Sequence, residues 1–454
     1  MFVAPAGYPL GGVATWLDYV MPGLEARGME CVLALCTGDL HPARPYLDLH
    51  PWRNTIEVER GTGTPTARRN AMLAAINQVQ PDVVIVTNIV DAYAAIRKLR
   101  LRGAPSPRIV MALHGIQSDL LEDVFRQSDL LNAVITPNRF ATALATTRLS
   151  LDAAQRSMYA PCGVPFPDCL PSRAAPTIDN IQLLFVGRIE QEQKRVFDLP
   201  RVMHALKLRG VTACLNIIGT GPDEAALRAE VDRLGMNDAI HLCGEKRGEA
   251  LARAYRAADV LLITSTWETG PLVAWEAMSY GLPIVSSAYV GSVLENALIS
   301  GETCMTFEIG DAAGAATQIV GLFECDVWSR IRSAAIELGK KRYSEHVSVS
   351  IWQRCLSDLM ALPNPLLLKP TASTTARGRL DKFLGNERAE WLRTKMKFRY
   401  RHVSKGDEWP HSDSMGERDV NAFWADAAAL ETRLMHKNSP RERLNPHTDV
   451  APHE

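Results

Sequence analysis

The chain has 454 residues, 46% of them hydrophobic and 22% charged, and a formal net charge of −1 at pH 7. This composition predicts a globular protein of two domains plus an extension, and the balanced charge gives no case for nucleic-acid binding. No apolar run approaches the roughly 20 residues of a membrane-spanning helix. The N-terminus enters a strand without a signal peptide, and nine scattered cysteines favour reduced core residues, so a cytoplasmic location is expected.

In the first part of the chain, short apolar runs rich in β-branched residues alternate with amphipathic stretches. The predicted strands are 2–4, 31–35, 82–86, 108–113 and 133–136, and the predicted helices are 13–28, 67–79 and 92–103. Alternation of this kind predicts a parallel sheet with crossover helices. We assign residues 1–165 to this first α/β domain.

A proline-rich break follows, from Pro161 to Pro176, and is typical of a linker. The alternation then resumes over 178–342, with predicted strands at 182–186, 213–218, 240–242, 260–264 and 283–287. A last amphipathic helix, at about 343–362, is expected to complete the first domain. The predicted fold class is therefore α/β, with two Rossmann-like domains facing a cleft, where ligands collect beyond the carboxyl ends of the strands.

Residues 363–454 differ in character, with more Pro, Thr, Ser and charge. Between Lys369 and Lys405 there are 11 Lys and Arg against 3 Asp and Glu, with aromatics interleaved. One short helix is predicted within Val420–Met435, and the last residues are expected to be disordered. We treat this region as a basic, mostly irregular extension.

The most informative feature is a pair of carboxylates, Glu268 and Glu276, on either side of a predicted helix start. Pro271 suits the first position of that helix, and Gly281 suits its end. The free N–H groups of a helix start favour an anion. A hydrogen-bond acceptor at Glu268, an anion site at the helix start and a second acceptor at Glu276 together match a ligand made of a sugar, a diphosphate and a ribose. A surface helix with two solvated glutamates is the alternative.

Cations follow the first strand of the second domain: Arg188 comes directly after Val186-Gly187, and Lys194 lies six residues later. Such cations can hold a diphosphate and neutralise the charge that develops as it leaves. The alternative is a pair of solvated charges near a turn.

Three weaker candidates lie at other predicted strand ends. Gly12 heads the first helix, and Gly219 and Gly221 precede another, so their backbone can approach a ligand closely or can simply form a tight turn. His114 follows a strand of the first domain and could face the cleft there, although a lone histidine is more often structural than functional.

Residues 268–287, Glu-Thr-Gly-Pro-Leu-Val-Ala-Trp-Glu-Ala-Met-Ser-Tyr-Gly-Leu-Pro-Ile-Val-Ser-Ser, resemble the E-x7-E signature of retaining glycosyltransferases of the GT-B fold, in the group-one family (glycosyltransferase family four). The resemblance covers roughly residues 1–362 and is strongest over 181–322. Two departures, Thr269 after the first glutamate and Arg195 after the lysine, leave the charged groups in place and put the identity of the sugar in doubt.

The resemblance implies a role for each matching position. Glu268 would contact the donor sugar and Glu276 the ribose, while Arg188 and Lys194 would hold the diphosphate. His114 would contact and orient the sugar. Gly12 would approach the diphosphate, and backbone N–H groups at Gly270, Leu272 and Val273, next to Pro271, would contact sugar or phosphate. From the sequence pattern we expect Gly219, Gly221 and Glu245 to take part in donor binding as well.

The implied reaction is transfer of a sugar, a hexose being expected, from a nucleotide-diphosphate sugar to a hydroxyl of a glycan or lipid-linked glycan, with retention at the anomeric carbon. No Asp-x-Asp motif is present, so we expect neither a metal nor a cofactor. The alternatives are a nucleotide-sugar epimerase or phosphorylase, and a non-catalytic sugar-nucleotide-binding protein.

For the basic extension, three interpretations remain: peripheral contact with the inner face of an anionic membrane, contact with an anionic glycan, and a solvated flexible tail. The sequence does not identify the donor sugar, the base, the acceptor or the oligomeric state.

Overall fold

The computed structural model describes residues 1–149, 153–168, 176–324, 326–367, 378–414 and 419–437. The chain divides into two compact units. The first unit is Met1–Gly163 with the described residues of 345–418. The second unit is Val164–Ser344 with the described residues of 419–454.

The first unit is built on a seven-stranded parallel sheet of order β3-β2-β1-β4-β5-β6-β7. Its strands are β1 (Phe2–Pro5), β2 (Leu33–Thr37), β3 (Thr55–Glu59), β4 (Val83–Val86), β5 (Arg108–Ala112), β6 (Ala133–Thr136) and β7 (Ser157–Tyr159). The helices between them are α1 (Gly12–Glu25), α2 (Ala43–Leu47), α3 (Pro65–Val79), α4 (Val90–Leu101), α5 (Ser118–Arg126), α6 (Arg139–Arg148) and α7 (Ala153–Arg156).

The second unit is built on a six-stranded parallel sheet of order β10-β9-β8-β11-β12-β13. Its strands are β8 (Ile181–Val186), β9 (Ala213–Ile218), β10 (Ile240–Leu242), β11 (Val260–Ile263), β12 (Ile284–Ser287) and β13 (Met305–Phe307). Its helices are α8 (Gln191–Lys194), α9 (Asp198–Leu208), α10 (Glu224–Arg233), α11 (Gly248–Ala257), α12 (Leu272–Ser279), α13 (Ser292–Glu295), α14 (Ala312–Gly321) and α15 (Val327–Tyr343).

The central strands of both sheets are covered on both faces, as expected for parallel sheets flanked by crossover helices. Leu183 and Val260 of the second sheet are fully buried on one side, with Leu184 and Leu261 buried on the other. Burial on both sides explains why these strands are continuous apolar runs and could be predicted from sequence. The predicted α/β class with two Rossmann-like sheets is confirmed.

Three strands were absent from the prediction: β3, β7 and β13. Each lies at an edge of its sheet, and β7 and β13 have only three residues. An edge strand pairs on one side only and needs fewer apolar side chains, so its sequence carries a weaker pattern.

The C-terminal part of the chain differs from the single extension that we predicted. After α16 (Glu345–Ala361) come α17 (Arg379–Leu384), α18 (Asn386–Lys395) and α19 (Lys405–Glu408), which belong to the first unit. The last helix, α20 (Val420–Lys437), belongs to the second unit and agrees with the helix predicted there. The disorder expected for the final residues concerns 438–454, outside the described residues.

Residues 400–414 run along the carboxyl edge of the first sheet, from β3 to the helix that follows β5. The contacts, in sheet order, are Tyr400 N to Thr62 O (2.8 Å), Asp39 N and Leu40 N to the Glu408 carboxylate (2.8 and 2.7 Å), Lys405 Nζ to Gly7 O, His411 Nδ1 to Asn88 O (3.1 Å) and Ser414 Oγ to Asp119 O (2.6 Å). This part of the extension is therefore built into the first unit.

Two further findings concern the described residues. None of their helices combines the length and the apolar character that crossing a bilayer requires. The seven described cysteines are free thiols, of which five are buried and Cys214 and Cys243 are partly buried.

Candidate functional site

The predicted donor residues of the second unit lie at the carboxyl edge of its sheet. Strands β8 and β11 are parallel neighbours, with Val260 opposite Leu183. The segments that leave them, 187–194 and 264–271, therefore emerge on the same side. Open parallel sheets bind their ligands at this edge.

Lys194 and Glu268 are in direct contact there, with 2.5 Å between Lys194 Nζ and Glu268 Oε1. Ser265 Oγ donates a second hydrogen bond to Glu268 Oε1 over 2.5 Å. The Lys194 side chain is 17% exposed and that of Glu268 only 7%, so the pair is largely removed from water. Partial burial strengthens the attraction between the charges and makes either one costly to leave unpaired.

Local hydrogen bonds fix the position of this pair. The Glu190 side chain caps α8 by accepting from Gln193 N over 3.0 Å. Thr264 Oγ1 donates to Lys194 O over 2.7 Å and joins the end of α8 to the end of β11. Gln193 Nε2 donates to Trp267 O over 3.1 Å. The two segments that carry the pair are thus bonded to each other through backbone and side chains.

Arg188 lies two residues after the end of β8, but its side chain does not join the pair. It forms an ion pair with Glu190 and remains 61% exposed. An exposed guanidinium at the carboxyl edge of the sheet can exchange one carboxylate for a phosphate at little cost.

The helix start between the two glutamates is α12. Gly270 has a φ of +96°, which favours glycine, and Pro271 occupies the N-cap position with φ −69°. Pro271 was predicted as the first residue of the helix, but the structure begins the helix one residue later, at Leu272. Leu272 and Val273 open the helix, where backbone N–H groups have no partner within the helix. These groups suit a phosphate or a sugar oxygen.

Glu276 lies in the second turn of α12 and accepts a hydrogen bond of 2.5 Å from the Tyr255 hydroxyl of α11. Burial raises the pKa of Glu276, and the hydrogen bond from Tyr255 opposes that rise. A carboxylate that gives up its water in this way is suited to accept hydroxyl groups, because they replace the lost hydration.

The glycines of the next loop have a structural reason to be there. A Cβ atom at Gly219 would lie 1.9 Å from Gly187 O, and one at Gly221 would lie 2.1 Å from Ile189 O. The loops after β8 and β9 therefore cross in direct backbone contact. The exposed Glu245, another predicted donor residue, forms an ion pair with Arg247.

Two predicted residues belong to the first unit. Gly12 is the first residue of α1, after Gly11 with a φ of +132°. His114 follows β5, and its ring lies 4.7 Å from that of Trp16. Burial lowers the pKa of His114 to about 4, so its imidazole is neutral at physiological pH.

Ser265, Gln193 and Tyr255 are members of the site that the sequence pattern did not indicate. Gln193 directly precedes Lys194 and Ser265 lies three residues before Glu268, so proximity in the chain could have suggested both. Tyr255 lies 21 residues before its partner Glu276, and nothing in the local pattern indicates that contact.

A family model described as "Glycosyl transferases group 1" matches residues 180–325. Among curated proteins, the chain is 27% identical over 254 residues to the putative colanic acid biosynthesis glycosyltransferase WcaL of Salmonella typhimurium, covering 49% of this chain and 58% of that protein. It is 34% identical over 152 residues to the D-inositol 3-phosphate glycosyltransferase of Mycolicibacterium smegmatis, covering 32% and 33%. The alignments span less than two thirds of either relative.

Solved structures extend the likeness of fold over most of the chain. Anabaena HepE in complex with UDP and glucose matches 80% of this chain and 99% of its own, with a TM-score of 0.64 at 16% identity. The lipopolysaccharide outer core galactosyltransferase WaaB matches 78% and 98%, with a TM-score of 0.59 at 19% identity. At such low identity these matches establish the fold. The chain therefore carries a group 1 glycosyltransferase domain over residues 180–325, within a two-domain architecture of the GT-B type.

Proposed function

We propose that this protein is a retaining glycosyltransferase that moves a sugar from a nucleotide-diphosphate sugar to a hydroxyl of a glycan or lipid-linked glycan. The observation that carries the proposal is the partly buried Lys194–Glu268 pair at the carboxyl edge of the second sheet, beside the start of α12. The named activities of the curated relatives support the same reaction class.

In the proposed reaction, the bond between the anomeric carbon and the leaving phosphate oxygen breaks, and a bond to the acceptor oxygen forms. The departing diphosphate gains negative charge as the bond breaks. Lys194, Arg188 and the N–H groups at the start of α12 are the groups of this chain that would stabilise that charge. The acceptor proton passes to the departing phosphate.

Glu268 would bind hydroxyl groups of the donor sugar near the reacting carbon. Its carboxylate is held by Ser265 as well as by Lys194. When a diphosphate attracts the Lys194 ammonium, Ser265 can keep the carboxylate in place. Glu276, held by Tyr255, would accept the ribose hydroxyls of the nucleotide.

The proposal is tested by screening the protein against UDP-, GDP-, ADP- and dTDP-sugars. A ligand that binds the folded form only raises the melting temperature, so the stabilising donor is identified first. Transfer to acceptor glycans is then measured with that donor, and the anomeric configuration of the product is assigned by NMR. We expect retention and undiminished activity in excess chelator.

The alternatives give different results in the same experiment. An epimerase converts the donor without any acceptor, a phosphorylase requires inorganic phosphate, and a non-catalytic protein binds the donor without turnover. Inversion at the anomeric carbon would contradict the retaining mechanism alone. Absence of stabilisation by every donor would contradict the assignment of the site.

We further propose that the enzyme works in the cytoplasm and meets an anionic membrane through residues 379–403, here named the basic segment. Its exposed bases are Arg379, Lys382, Arg388, Lys395, Lys397, Arg399 and Arg401. Exposed apolar side chains lie among them, including Phe383 (88% exposed), Trp391 (60%), Met396 (70%) and Val403 (92%). Bases with exposed aromatics suit the interface of an anionic bilayer.

The acidic residues of the basic segment do not offset these bases at its surface. Asp381 pairs with Arg393 over 2.6 Å, and Glu387 pairs with Arg69 over 2.6 Å. Glu390 is 5% exposed and accepts hydrogen bonds from two threonine hydroxyls. The exposed surface of the segment is therefore more positive than the net charge counted from all of its residues.

Helix α18 supports the same proposal by its two faces. Ala389, Glu390 and Arg393 are buried against the first unit. Trp391 and Lys395 are exposed, with Lys395 Nζ 4.3 Å from the centre of the Trp391 ring. A tryptophan and a lysine in contact on an exposed face can enter the headgroup region together.

The membrane proposal is tested by co-sedimentation with vesicles of phosphatidylglycerol and phosphatidylcholine, or of phosphatidylcholine alone. Changing Lys395, Lys397, Arg399 and Arg401 to Gln should weaken binding to the anionic vesicles at least about tenfold, because each base near such a surface contributes about 1 kcal/mol. The matched control changes four exposed bases of the second unit, Lys207, Arg253, Lys340 and Lys341, to Gln.

Equal binding by the wild type and the 395–401 variant would contradict the membrane proposal. Deletion of the whole extension is a poorer test, because it removes Glu408 and Trp409, whose side chains are fully buried in the first unit.

A further inference from the structure

Helix α20 presents one apolar face to the second unit, although it lies almost a hundred residues beyond the matched segment 180–325. Phe423, Ala427 and Glu431 are 7%, 3% and 3% exposed, and Trp424 is half-buried. Spacings of three, four and seven residues place these side chains on one side of the helix. A carboxylate on such a face requires partners.

Trp424 provides the first contact with the donor site. Its ring stacks on that of Trp267, with 4.2 Å between centroids and 17° between planes. Trp267 is 8% exposed and directly precedes Glu268 in the chain. Its carbonyl accepts the hydrogen bond from Gln193, which neighbours Lys194. Trp424 therefore stacks on Trp267, the residue that connects Glu268 to the segment carrying Lys194.

Glu431 provides the second contact, with the neighbouring turn that precedes α13. Its carboxylate accepts hydrogen bonds from Gly291 N over 2.8 Å and from Leu294 N over 3.0 Å. These amides belong to the turn that opens α13. Fixing two amides with one buried carboxylate determines the conformation of that turn.

The turn at 290–294 is bonded in its own right to the segment that carries Glu268. Glu268 N donates to Val290 O over 3.2 Å, and Val290 N donates to Thr266 O over 2.9 Å. A displacement of the turn therefore displaces the backbone of Glu268. Glu431 acts on that backbone through Val290, and Trp424 acts on it through Trp267.

We propose that Trp424 and Glu431 are positioning residues of the donor site, which hold the Glu268 loop against Lys194 from outside the glycosyltransferase domain. The inference rests on the proposed function for its catalytic consequence. External contacts are needed here because Glu268 lies on an irregular loop, residues 264–271, between β11 and α12. A catalytic carboxylate on an irregular loop needs external contacts to keep its geometry.

A helix that only covered apolar surface would need Phe423 and Ala427 but would not need Glu431. The buried carboxylate costs free energy unless it is satisfied, and here its partners are the backbone amides of a turn joined to the site. The position of Glu431 is therefore the observation that distinguishes a helix that positions the site from a helix that only buries apolar surface.

The test compares Trp424→Ala, Trp424→Phe and Glu431→Gln in the full-length chain. The matched control for the carboxylate is Asp426→Asn, the same change at an exposed position of α20. The control for loss of a tryptophan is Trp52→Ala, at a partly buried position of the first unit like that of Trp424 in the second. The ligand probes are UDP, GDP, ADP and dTDP, and the one that stabilises the wild type most is carried forward.

We expect Trp424→Ala and Glu431→Gln to weaken binding of that nucleotide about tenfold, and to lower turnover at saturating concentrations of the corresponding nucleotide sugar by a similar factor. Trp424→Phe should retain most of the activity. Neither control should change these values. Active variants with wild-type donor KM and kcat would overturn the inference while leaving the proposed function intact.

Hydrogen–deuterium exchange decides the inference without any ligand. The amides of 264–270 and 289–295 should exchange faster in Trp424→Ala and Glu431→Gln than in Asp426→Asn, while the β8–β9 core exchanges at the wild-type rate. Wild-type exchange rates in both segments of the Trp424→Ala and Glu431→Gln variants would overturn the inference. Failure of the wild type to bind any of the four nucleotides would instead overturn the proposed function.

Discussion

Glu268 and Glu276 are both carboxylates of one short segment, yet their surroundings differ. Glu268 is neutralised by Lys194, whereas Glu276 is held by the uncharged hydroxyl of Tyr255. The first arrangement keeps a charge stable in a partly buried position. In the second arrangement the partner of a partly buried acid is a neutral hydroxyl, and burial raises the pKa of that acid.

The Lys194–Glu268 contact predicts energetic coupling. We expect Lys194→Met and Glu268→Gln each to destabilise the protein by about 1–3 kcal/mol, because each leaves a partner unpaired. The double variant should lose less than the sum of the two, which urea unfolding of all four proteins measures. The exposed Arg256–Glu249 pair is the control and should show no measurable coupling. Additive losses at 194 and 268 would contradict the contact.

The surroundings of Glu276 predict a pH-dependent stability effect. Because burial raises its pKa in the folded state, its ionisation costs stability as pH rises above the unfolded value of 4.5. Glu276→Gln removes that cost and should raise the melting temperature at about pH 8, but not at about pH 4, where the acid is protonated in both states. The same variant should bind the nucleotide sugar more weakly. A stabilisation equal at both pH values would contradict this explanation.

At the scale of elements, the arrangement of the predicted donor residues at the carboxyl edge of the second sheet depends on how closely the loops after β8 and β9 cross. Gly187 N donates to Ile218 O over 3.0 Å, and Ile189 N donates to Thr220 O over 2.9 Å. These bonds bring backbone against backbone at Gly219, which leaves no room for a side chain. The crossing places Arg188 at the exposed edge of the sheet.

Gly219→Ala is therefore expected to destabilise the second unit by more than about 3 kcal/mol, since the new methyl group meets Gly187 O. The control is Gly210→Ala, at a φ of +75° with open space around the Cβ position. It carries only the cost of the left-handed backbone, about 1 kcal/mol. Thermal unfolding compares the two, and equal losses would show that the crossing is not tight.

At the scale of the whole molecule, the extension contributes to each of the two units separately. Residues 378–414 add helices and buried polar contacts to the first unit, and α20 adds a helix to the second. Glu408 is fully buried and in contact with Arg60 over 2.7 Å and His41 over 2.9 Å. The described part of the extension is therefore built into the two units.

Glu408→Gln is expected to destabilise the first unit by about 3 kcal/mol, because Arg60 and two backbone amides lose a charged acceptor. The matched control is Asp407→Asn at the exposed neighbouring position, expected to change stability by less than about 0.5 kcal/mol. Urea unfolding followed by fluorescence measures both. A Glu408→Gln protein as stable as the control would mean that the extension is only loosely attached.

The sequence by itself determined the two sheets, since their central strands are buried on both faces and must be continuous apolar runs. It also determined the order Glu268, helix start, Glu276, because these groups are neighbours in the chain. Local chemistry was sufficient for both.

Only the tertiary structure decided the partners across long chain separations. Tyr255 reaches Glu276, Glu431 reaches the turn at Gly291, and Glu408 reaches Arg60, and none of these contacts has a local signature. The sequence predicts a mostly irregular extension because charged residues are assumed to be exposed to solvent. Several of them are buried against partners hundreds of residues away, and pattern within a short window carries no information about a partner at that distance.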